Sequence, residues 1–144
     1  MELMVVLLVM GIVAAVATPS FYASLQYHEI ETAARRVVLD LEHVRHAARI
    51  KSQPQKMTFT NNTTYTLSPG IANLDGSGEA YSVDLSEAPY SLEDVTLNLG
   101  GATEISFDGY GNASVGGTIV LELGDQTRTV SLNNSNGHIQ FTKP

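Results

Sequence analysis

Two groups of polar side chains in this sequence have the types and spacing that metal ions use. Glu42, His43 and His46 fall within one predicted helix, and residues three or four apart on a helix share a face. A closed zinc site needs four ligands, and no other histidine is near in sequence, so a solvated helix face is our interpretation. The segment DGSGE at residues 75–79 has acidic ligands of the kind that calcium prefers, but it lacks the full ligand series of a calcium loop. We therefore predict no metal and no cofactor.

The sequence carries no catalytic motif. It has no Gly-x-Ser-x-Gly, no His-Glu-x-x-His, no phosphate loop and no Gly-x-Gly-x-x-Gly after a strand. It also has no cysteine, which excludes disulfides, thiolate metal sites and cysteine nucleophiles. We predict that the protein is not an enzyme.

The charge is distributed unevenly along the chain. The formal net charge is −7, and beyond Lys56 ten acidic residues stand against Arg128 and Lys143 only. An acidic surface repels phosphate backbones, so this charge argues against nucleic acid as a partner.

An acidic residue opens a long apolar run. Glu2 is followed by fifteen residues without a polar side chain, from Leu3 to Ala17, and residues 18–27 add aromatic side chains but no charge. A helix rises about 1.5 Å per residue, so residues 1–27 predict a transmembrane and assembly helix. A lone carboxylate in hydrocarbon costs about 2.5–3.5 kcal/mol or more, which indicates that Glu2 has a cationic partner.

Two alternatives remain for this segment. Glu2 close to a chain terminus can reach the lipid headgroup layer and pair with nothing. The segment can instead be a secretory signal peptide, since Ala15-Val16-Ala17 resembles a cleavage site, although its first residues are acidic rather than basic.

Residues 28–53 continue the helix in amphipathic form. Pro19 removes one helical hydrogen bond and predicts a kink rather than an end. Beyond it, apolar residues recur every three or four positions, with Asp40 and most other charged residues placed off this stripe. Pro54 predicts the end of the helix, preceded by Arg49 and Lys51. The apolar stripe comprises Ile30, Ala33, Ala34, Val37, Leu41, Val44 and Ala48.

Residues 54–144 have the pattern of a β domain. Short segments of alternating apolar and polar residues are separated by Gly, Pro, Asn and Asp, and TIVLELGDQTRTVSL predicts a hairpin that turns at Gly124-Asp125. The predicted fold class is α+β, a long N-terminal helix packed on a mainly antiparallel β domain. The predicted strand segments are KMTFT, TYTL, AYSVDL, VTLNL, EISF, TIVLEL, TRTVSL and HIQF.

These features together resemble type IV pilins and the pseudopilins of type II secretion. The matching residues are Glu2 with the apolar residues after it, Gly11, the Ala14-Ala15 pair and Pro19. The segment AARRVVLDLEHVRHAARIKSQPQKMTF, with Phe107, Gly111 and Gly137-His138-Ile139 near the end, is similar to the GspH/FimT group of minor members.

The resemblance implies a structural role. It implies that Glu2 pairs with the N-terminal amine of a neighbouring subunit, that Gly11 and Pro19 shape the packing helix, and that the β domain is periplasmic on a single-pass inner-membrane anchor. It implies other pilins or pseudopilins, membrane lipid and secreted cargo as partners, and a prepilin peptidase acting on a leader upstream of these residues.

The functional hypothesis is a minor pseudopilin that assembles through its helix into the pseudopilus of a type II secretion system. A minor type IV pilin in pilus biogenesis or DNA uptake is the first alternative. A secreted acidic β binding module, with the apolar segment removed as a signal peptide, is the second.

Overall fold

The structure, a computed structural model, describes residues 2–71 and 81–142, and within the first helix it leaves out the side chains of residues 2 and 15–20. That helix, α1, is continuous over Glu2–Lys51, 50 residues. At a rise of about 1.5 Å per residue it is roughly 75 Å long. The apolar run and the amphipathic segment are thus one helix, and α1 continues through Pro19.

The helix ends as the sequence predicts, just before Pro54. Ser52 has a positive φ of 49°. Its amide donates to the carbonyl of Arg49 at 3.3 Å, and the amide of Gln53 donates to the carbonyl of Ala48 at 3.2 Å. These two hydrogen bonds form a Schellman motif, which ends many helices. Ser52 occupies the left-handed position that is usually glycine.

Eight strands follow the helix and form two antiparallel four-stranded sheets. Sheet 1 has the order β3-β2-β1-β5, and sheet 2 has the order β4-β6-β7-β8. Each strand overlaps one of the segments predicted from alternation, which confirms the α+β fold class. The strands are β1 (Gln55–Phe59), β2 (Thr64–Leu67), β3 (Ser82–Asp84), β4 (Asp94–Asn98), β5 (Glu104–Phe107), β6 (Gly117–Leu123), β7 (Gln126–Leu132) and β8 (Ile139–Thr142).

The predicted hairpin joins β6 to β7. Leu123 lies opposite Gln126, which leaves Gly124 and Asp125 as the two-residue loop. Gly124 has a φ of +56°, a conformation that glycine adopts without steric cost. The structure therefore confirms the predicted hairpin and its turn at Gly124-Asp125.

The core lies between one face of α1 and the inner faces of both sheets. Every residue of the predicted apolar stripe is 0% exposed. Burying a side chain of the size of Leu or Ile contributes about 1.5–3 kcal/mol, so the stripe supplies much of the attachment between helix and sheets. Fully buried side chains from the sheets belong to the same core cluster: Met57, Ile105, Phe107, Ile119, Leu121 and Val130.

Candidate assembly site

The first part of α1 is exposed to solvent. Every described side chain from Leu3 to Ala14 is exposed. The large apolar ones range from 52% exposed at Val9 to 75% at Met4. Phe21, Tyr22 and Leu25, which follow residues 15–20, are exposed as well. Contiguous apolar surface of this extent marks a site of association with a protein or a membrane. We call residues 2–25 the stem.

Among the residues that the structure describes, no helix combines the length and the apolar character needed to cross a membrane.

The three assembly residues predicted from the sequence all fall in the stem. Gly11 lies on an open surface, where an added Cβ would meet no atom within 4 Å. Glu2 begins the helix and Pro19 lies inside it, but both side chains are outside the described part. The charge pairing of Glu2 and the kink at Pro19 therefore stay predictions.

A buried carboxylate fixes the second half of the helix to sheet 1. Asp40 is 2% exposed. Its Oδ2 accepts a hydrogen bond from the Tyr65 hydroxyl at 2.5 Å and one from Arg36 Nε at 3.0 Å. Its Oδ1 accepts from the Tyr81 hydroxyl, which in turn accepts from Arg36 Nη2 at 2.8 Å. Each oxygen of this buried anion has a donor, which is the condition for burying a charge without a large penalty.

The electrostatics of this cluster favour the neutral tyrosines and the charged arginine. Burial raises the pKa of both Tyr65 and Tyr81, and the Asp40 carboxylate raises the pKa of each phenol further. Burial acts to lower the pKa of Arg36, but the attraction of Asp40 outweighs it and the pKa is raised. The cluster is an Arg36–Asp40 ion pair with two phenol donors, and it joins α1 to β2 and to the start of β3.

Placing Asp40 off the apolar stripe was a wrong prediction. Asp40 is three residues after Val37 and four before Val44, so it lies on the buried face that those two residues define. This spacing was the available signal. Its polar type led to the opposite assignment, because a carboxylate is rarely buried without a partner and the partners are 25 and 41 residues away.

Three basic side chains near the end of α1 bind carbonyls of the β domain. Arg45 Nε donates to the carbonyl of Gly111 at 3.2 Å, and its Nη2 donates to that of Asn136 at 3.0 Å. Arg49 Nε donates to the Tyr110 carbonyl at 3.0 Å, and Lys51 Nζ donates to the Gly70 carbonyl at 2.9 Å. These bonds attach loops from both sheets to the helix.

At the other end of the β domain, Arg128 contacts α1 where the stem emerges. Arg128 is 2% exposed, and its Nε is 3.4 Å from Glu31 Oε2. Its guanidinium lies 4.8 Å from the centre of the Tyr27 ring. An ion pair and a cation–π contact therefore hold the helix at the point where it leaves the β domain.

The two helix histidines have different surroundings. His43 is half-buried, with its ring edge-on to Tyr81 at 6.3 Å between ring centres, whereas His46 is exposed. Within residues 2–71 and 81–142 there is no group of three or more His, Asp or Glu side chains arranged to hold a metal ion. The acidic segment at residues 75–79 lies outside the described residues.

A long helix, exposed at the described side chains of its first half and packed on two antiparallel sheets in its second, is the architecture of the pilin-like class of α+β proteins. The family model described as "Type II transport protein GspH" matches residues 33–136, and the chain belongs to that family. No curated protein sequence matches the chain.

Two solved structures are similar to most of this fold. Both are crystal structures of the type IV minor pilin FimU of Pseudomonas aeruginosa strain PAO1, in space groups P21 and P65. The first has a TM-score of 0.61 at 16% identity and covers 81% of this chain and 90% of FimU. The second has a TM-score of 0.58 at 15% identity and covers 78% of this chain and 91% of the other. This similarity establishes the pilin-like fold.

Proposed function

We propose that the protein is a minor pseudopilin, a structural subunit that enters the pseudopilus of a type II secretion system through its stem. The observation that carries this proposal is the exposed apolar stem, joined in one helix to a domain of the GspH family. Apolar side chains that are 52–75% exposed along twelve residues need a partner, and a helix bundle provides one. The family's description as a type II transport protein supports the secretion role, and the similarity to the minor pilin FimU supports the minor-pilin alternative.

The stem also provides the proposed membrane attachment. Before assembly, residues 2–25 lie in the inner membrane and the acidic β domain lies in the periplasm. Glu2 then pairs with the N-terminal amine of a neighbouring subunit, because a carboxylate in an apolar bundle is stabilised only by a nearby cation. In this proposal the β domain supplies surfaces for other subunits and for secreted cargo, and no catalytic step takes place on it.

The proposal is tested by exchanging Glu2 for neutral residues. We expect Glu2→Ala and Glu2→Val to leave membrane insertion unchanged and to reduce recovery of the chain with assembled pseudopilins. Glu29→Ala is the matched control, because Glu29 lies on the same helix beyond the stem and is predicted to leave recovery unchanged. Full recovery of both Glu2 variants would contradict the pairing role.

The secretion role is tested separately in a strain that lacks this chain. Loss of secreted proteins with intact pili supports the proposal, and loss of pili with normal secretion would replace it with the minor-pilin alternative.

A further inference from the structure

Large exposed apolar side chains are few outside the stem. Among the described residues after Tyr27 they are Leu39, Ile50 and Tyr110, which are 65%, 71% and 83% exposed. Ile50 and Tyr110 belong to one end of the molecule, because the turn that carries Tyr110 packs against the end of α1. The carbonyl of Tyr110 is bound by Arg49, and a Cβ on Gly109 would lie 3.0 Å from the backbone of Ser52.

This end of the molecule also carries positive charge. Arg49 and Lys51 are exposed and bind only backbone carbonyls, so within the described part of the chain neither forms an ion pair. The turn that carries Tyr110 also contains Asp108, whose carboxylate accepts hydrogen bonds from the amides of Tyr110 and Asn112. We call Arg49, Ile50, Lys51 and Tyr110 the tip patch.

The opposite end of the β domain is acidic. Asp94 lies opposite Glu122 across β4 and β6, and the amide of Glu93 donates to the carbonyl of Glu122 at 3.0 Å. The hairpin turn next to Glu122 contains Asp125 and lies against the helix, since a Cβ on Gly124 would meet the Gln26 amide at 2.8 Å. We call Glu93, Asp94, Glu122 and Asp125 the acidic rim. In the described residues no Lys or Arg forms an ion pair with any of these four carboxylates.

The distance between the acidic rim and the tip patch, measured along α1, is about the length of the stem. From Gln26, beside the rim, to Arg49, at the tip, the helix rises about 35 Å. From Glu2 to Gln26 it rises about 36 Å. A second copy shifted along the helix axis by that amount brings its acidic rim to the tip patch of the first. Its stem then lies beside the first copy's α1, where Leu39 is exposed next to Val38 and Phe141.

We propose that the tip patch of one copy binds the acidic rim of a second copy, head to tail. The contact joins the two basic side chains of the tip patch to the four carboxylates of the rim, none of which forms an ion pair within the described residues, and it covers Ile50 and Tyr110. Because the two surfaces differ and lie at opposite ends, the contact is heterologous and propagates along an axis rather than closing a ring of two. This inference rests on the proposed function, since it places the stem of one copy beside the second half of α1 in the next copy of the assembly.

Cysteine crosslinking of the full chain in detergent micelles tests the contact, because the natural sequence has no cysteine. One chain carries Ile50→Cys at the tip, and the other carries Thr127→Cys, whose exposed side chain is beside the rim opposite Glu122. We expect a mixed disulfide dimer to form. It should form more slowly as the salt concentration is raised, because salt screens the exposed ion pairs between the tip patch and the acidic rim.

Charge reversal makes the test specific. Arg49→Glu with Lys51→Glu in the Ile50→Cys chain is expected to lower the yield of mixed dimer about fivefold, as for loss of about 1 kcal/mol of pairing. Adding Glu93→Lys and Asp125→Lys to the Thr127→Cys chain is expected to restore the yield. The control is Thr96→Glu with Thr127→Glu in the Ile50→Cys chain. These exposed positions lie beside that chain's own rim, so they add negative charge at the end away from its tip, and we expect the yield to stay unchanged.

A second crosslink separates this inference from the proposed function. Leu7→Cys in both chains reports packing of stems that lie side by side with little axial shift, as the proposed Glu2 pairing requires. In a head-to-tail pair the two Leu7 positions are about 35 Å apart and do not crosslink. Formation of the stem crosslink without the mixed dimer, or a mixed dimer that charge reversal does not weaken, overturns the head-to-tail contact alone. Absence of the stem crosslink contradicts the proposed function. Thermal unfolding of each variant, followed by circular dichroism, checks that a lost crosslink is not a lost fold.

Discussion

Arg45 and Gly111 are 66 residues apart in the sequence, yet the Arg45 Nε atom and the Gly111 carbonyl oxygen are 3.2 Å apart. Gly137 packs directly against the same carbonyl, so closely that a Cβ added at Gly137 would overlap the Gly111 oxygen. The two glycines that made the C-terminal segment similar to the GspH/FimT group therefore meet beneath one helix arginine. Their function in this chain is close packing at the junction of helix, β5–β6 connection and β7–β8 turn.

Replacing Gly137 with alanine should be more costly than replacing a glycine of similar conformation in open space. Gly137 has φ +61° and no room for a Cβ, whereas Gly100 has φ +67° and nothing within 4 Å of an added Cβ. We expect Gly100→Ala to lower the free energy of unfolding by about 1 kcal/mol, from backbone strain alone. Gly137→Ala should lower it by about 3 kcal/mol or more, since the backbone must also move. Denaturant unfolding of both variants measures the difference, and equal losses would show that the Gly111 contact is unimportant.

The buried carboxylate Asp40 is predicted to be among the most sensitive polar positions. Asp40→Asn replaces an acceptor oxygen with a donor amide that faces the Tyr65 and Tyr81 hydroxyls and the Arg36 guanidinium. We expect a loss of about 2–4 kcal/mol in the free energy of unfolding. Asparagine offers one neutral acceptor oxygen in place of two charged ones, so Arg36 loses its buried anion and at least one donor faces the amide NH2. Glu42→Gln is the control. Its ion pair with Arg45 is 3.5 Å long and its side chain is 45% exposed, so the loss should be below about 1 kcal/mol.

The same cluster predicts loss of stability at alkaline pH. The pKa values of Tyr65 and Tyr81 are raised in the folded state above the unfolded value of about 10. A group with a raised folded pKa contributes stability that is complete below its unfolded pKa and is lost as the pH rises through its folded pKa. The free energy of unfolding should therefore fall from about pH 10 upward.

The double variant Tyr65→Phe and Tyr81→Phe tests this origin of the pH dependence. It should be less stable near pH 7, where Asp40 has lost two donors, and should show a shallower decline above about pH 10. Denaturant midpoints measured from pH 7 to pH 11 give both quantities. An unchanged alkaline slope would place the titrating groups elsewhere.

The sequence predicted the elements well because each element has a local signal. The stripe from Ile30 to Ala48, the Gly124-Asp125 turn and the eight alternating segments follow from side-chain periodicity and turn chemistry. Which strands pair is not local, and the division into two sheets, with β5 beside β1 and β4 beside β6, follows from long-range packing. The polar partners of Asp40 and the clustering of Arg45, Gly111 and Gly137 were not predicted for the same reason. Each requires residues far apart in sequence to be placed together first.

Glu31 provides an internal comparison of a buried and an exposed ion pair. One carboxylate oxygen lies 3.4 Å from Nε of Arg128, whose side chain is 2% exposed, and the other lies 2.9 Å from Nη2 of Arg35, whose side chain is 66% exposed. The shorter pair is expected to contribute less, because water screens Arg35 and because its ordered side chain costs conformational entropy.

Double-mutant cycles measure the two pairs separately. Arg128→Met with Glu31→Gln should give a coupling free energy of about 1–3 kcal/mol, and Arg128→Met alone should also lose the cation–π contact with Tyr27. Arg35→Met with Glu31→Gln should give about 0.3–0.5 kcal/mol, the usual value for an exposed pair four residues apart on a helix. Raising the salt concentration should reduce the second coupling more than the first, since a buried pair is poorly screened. A larger coupling for Arg35 would mean that distance rather than burial determines how firmly the helix is held where the stem emerges.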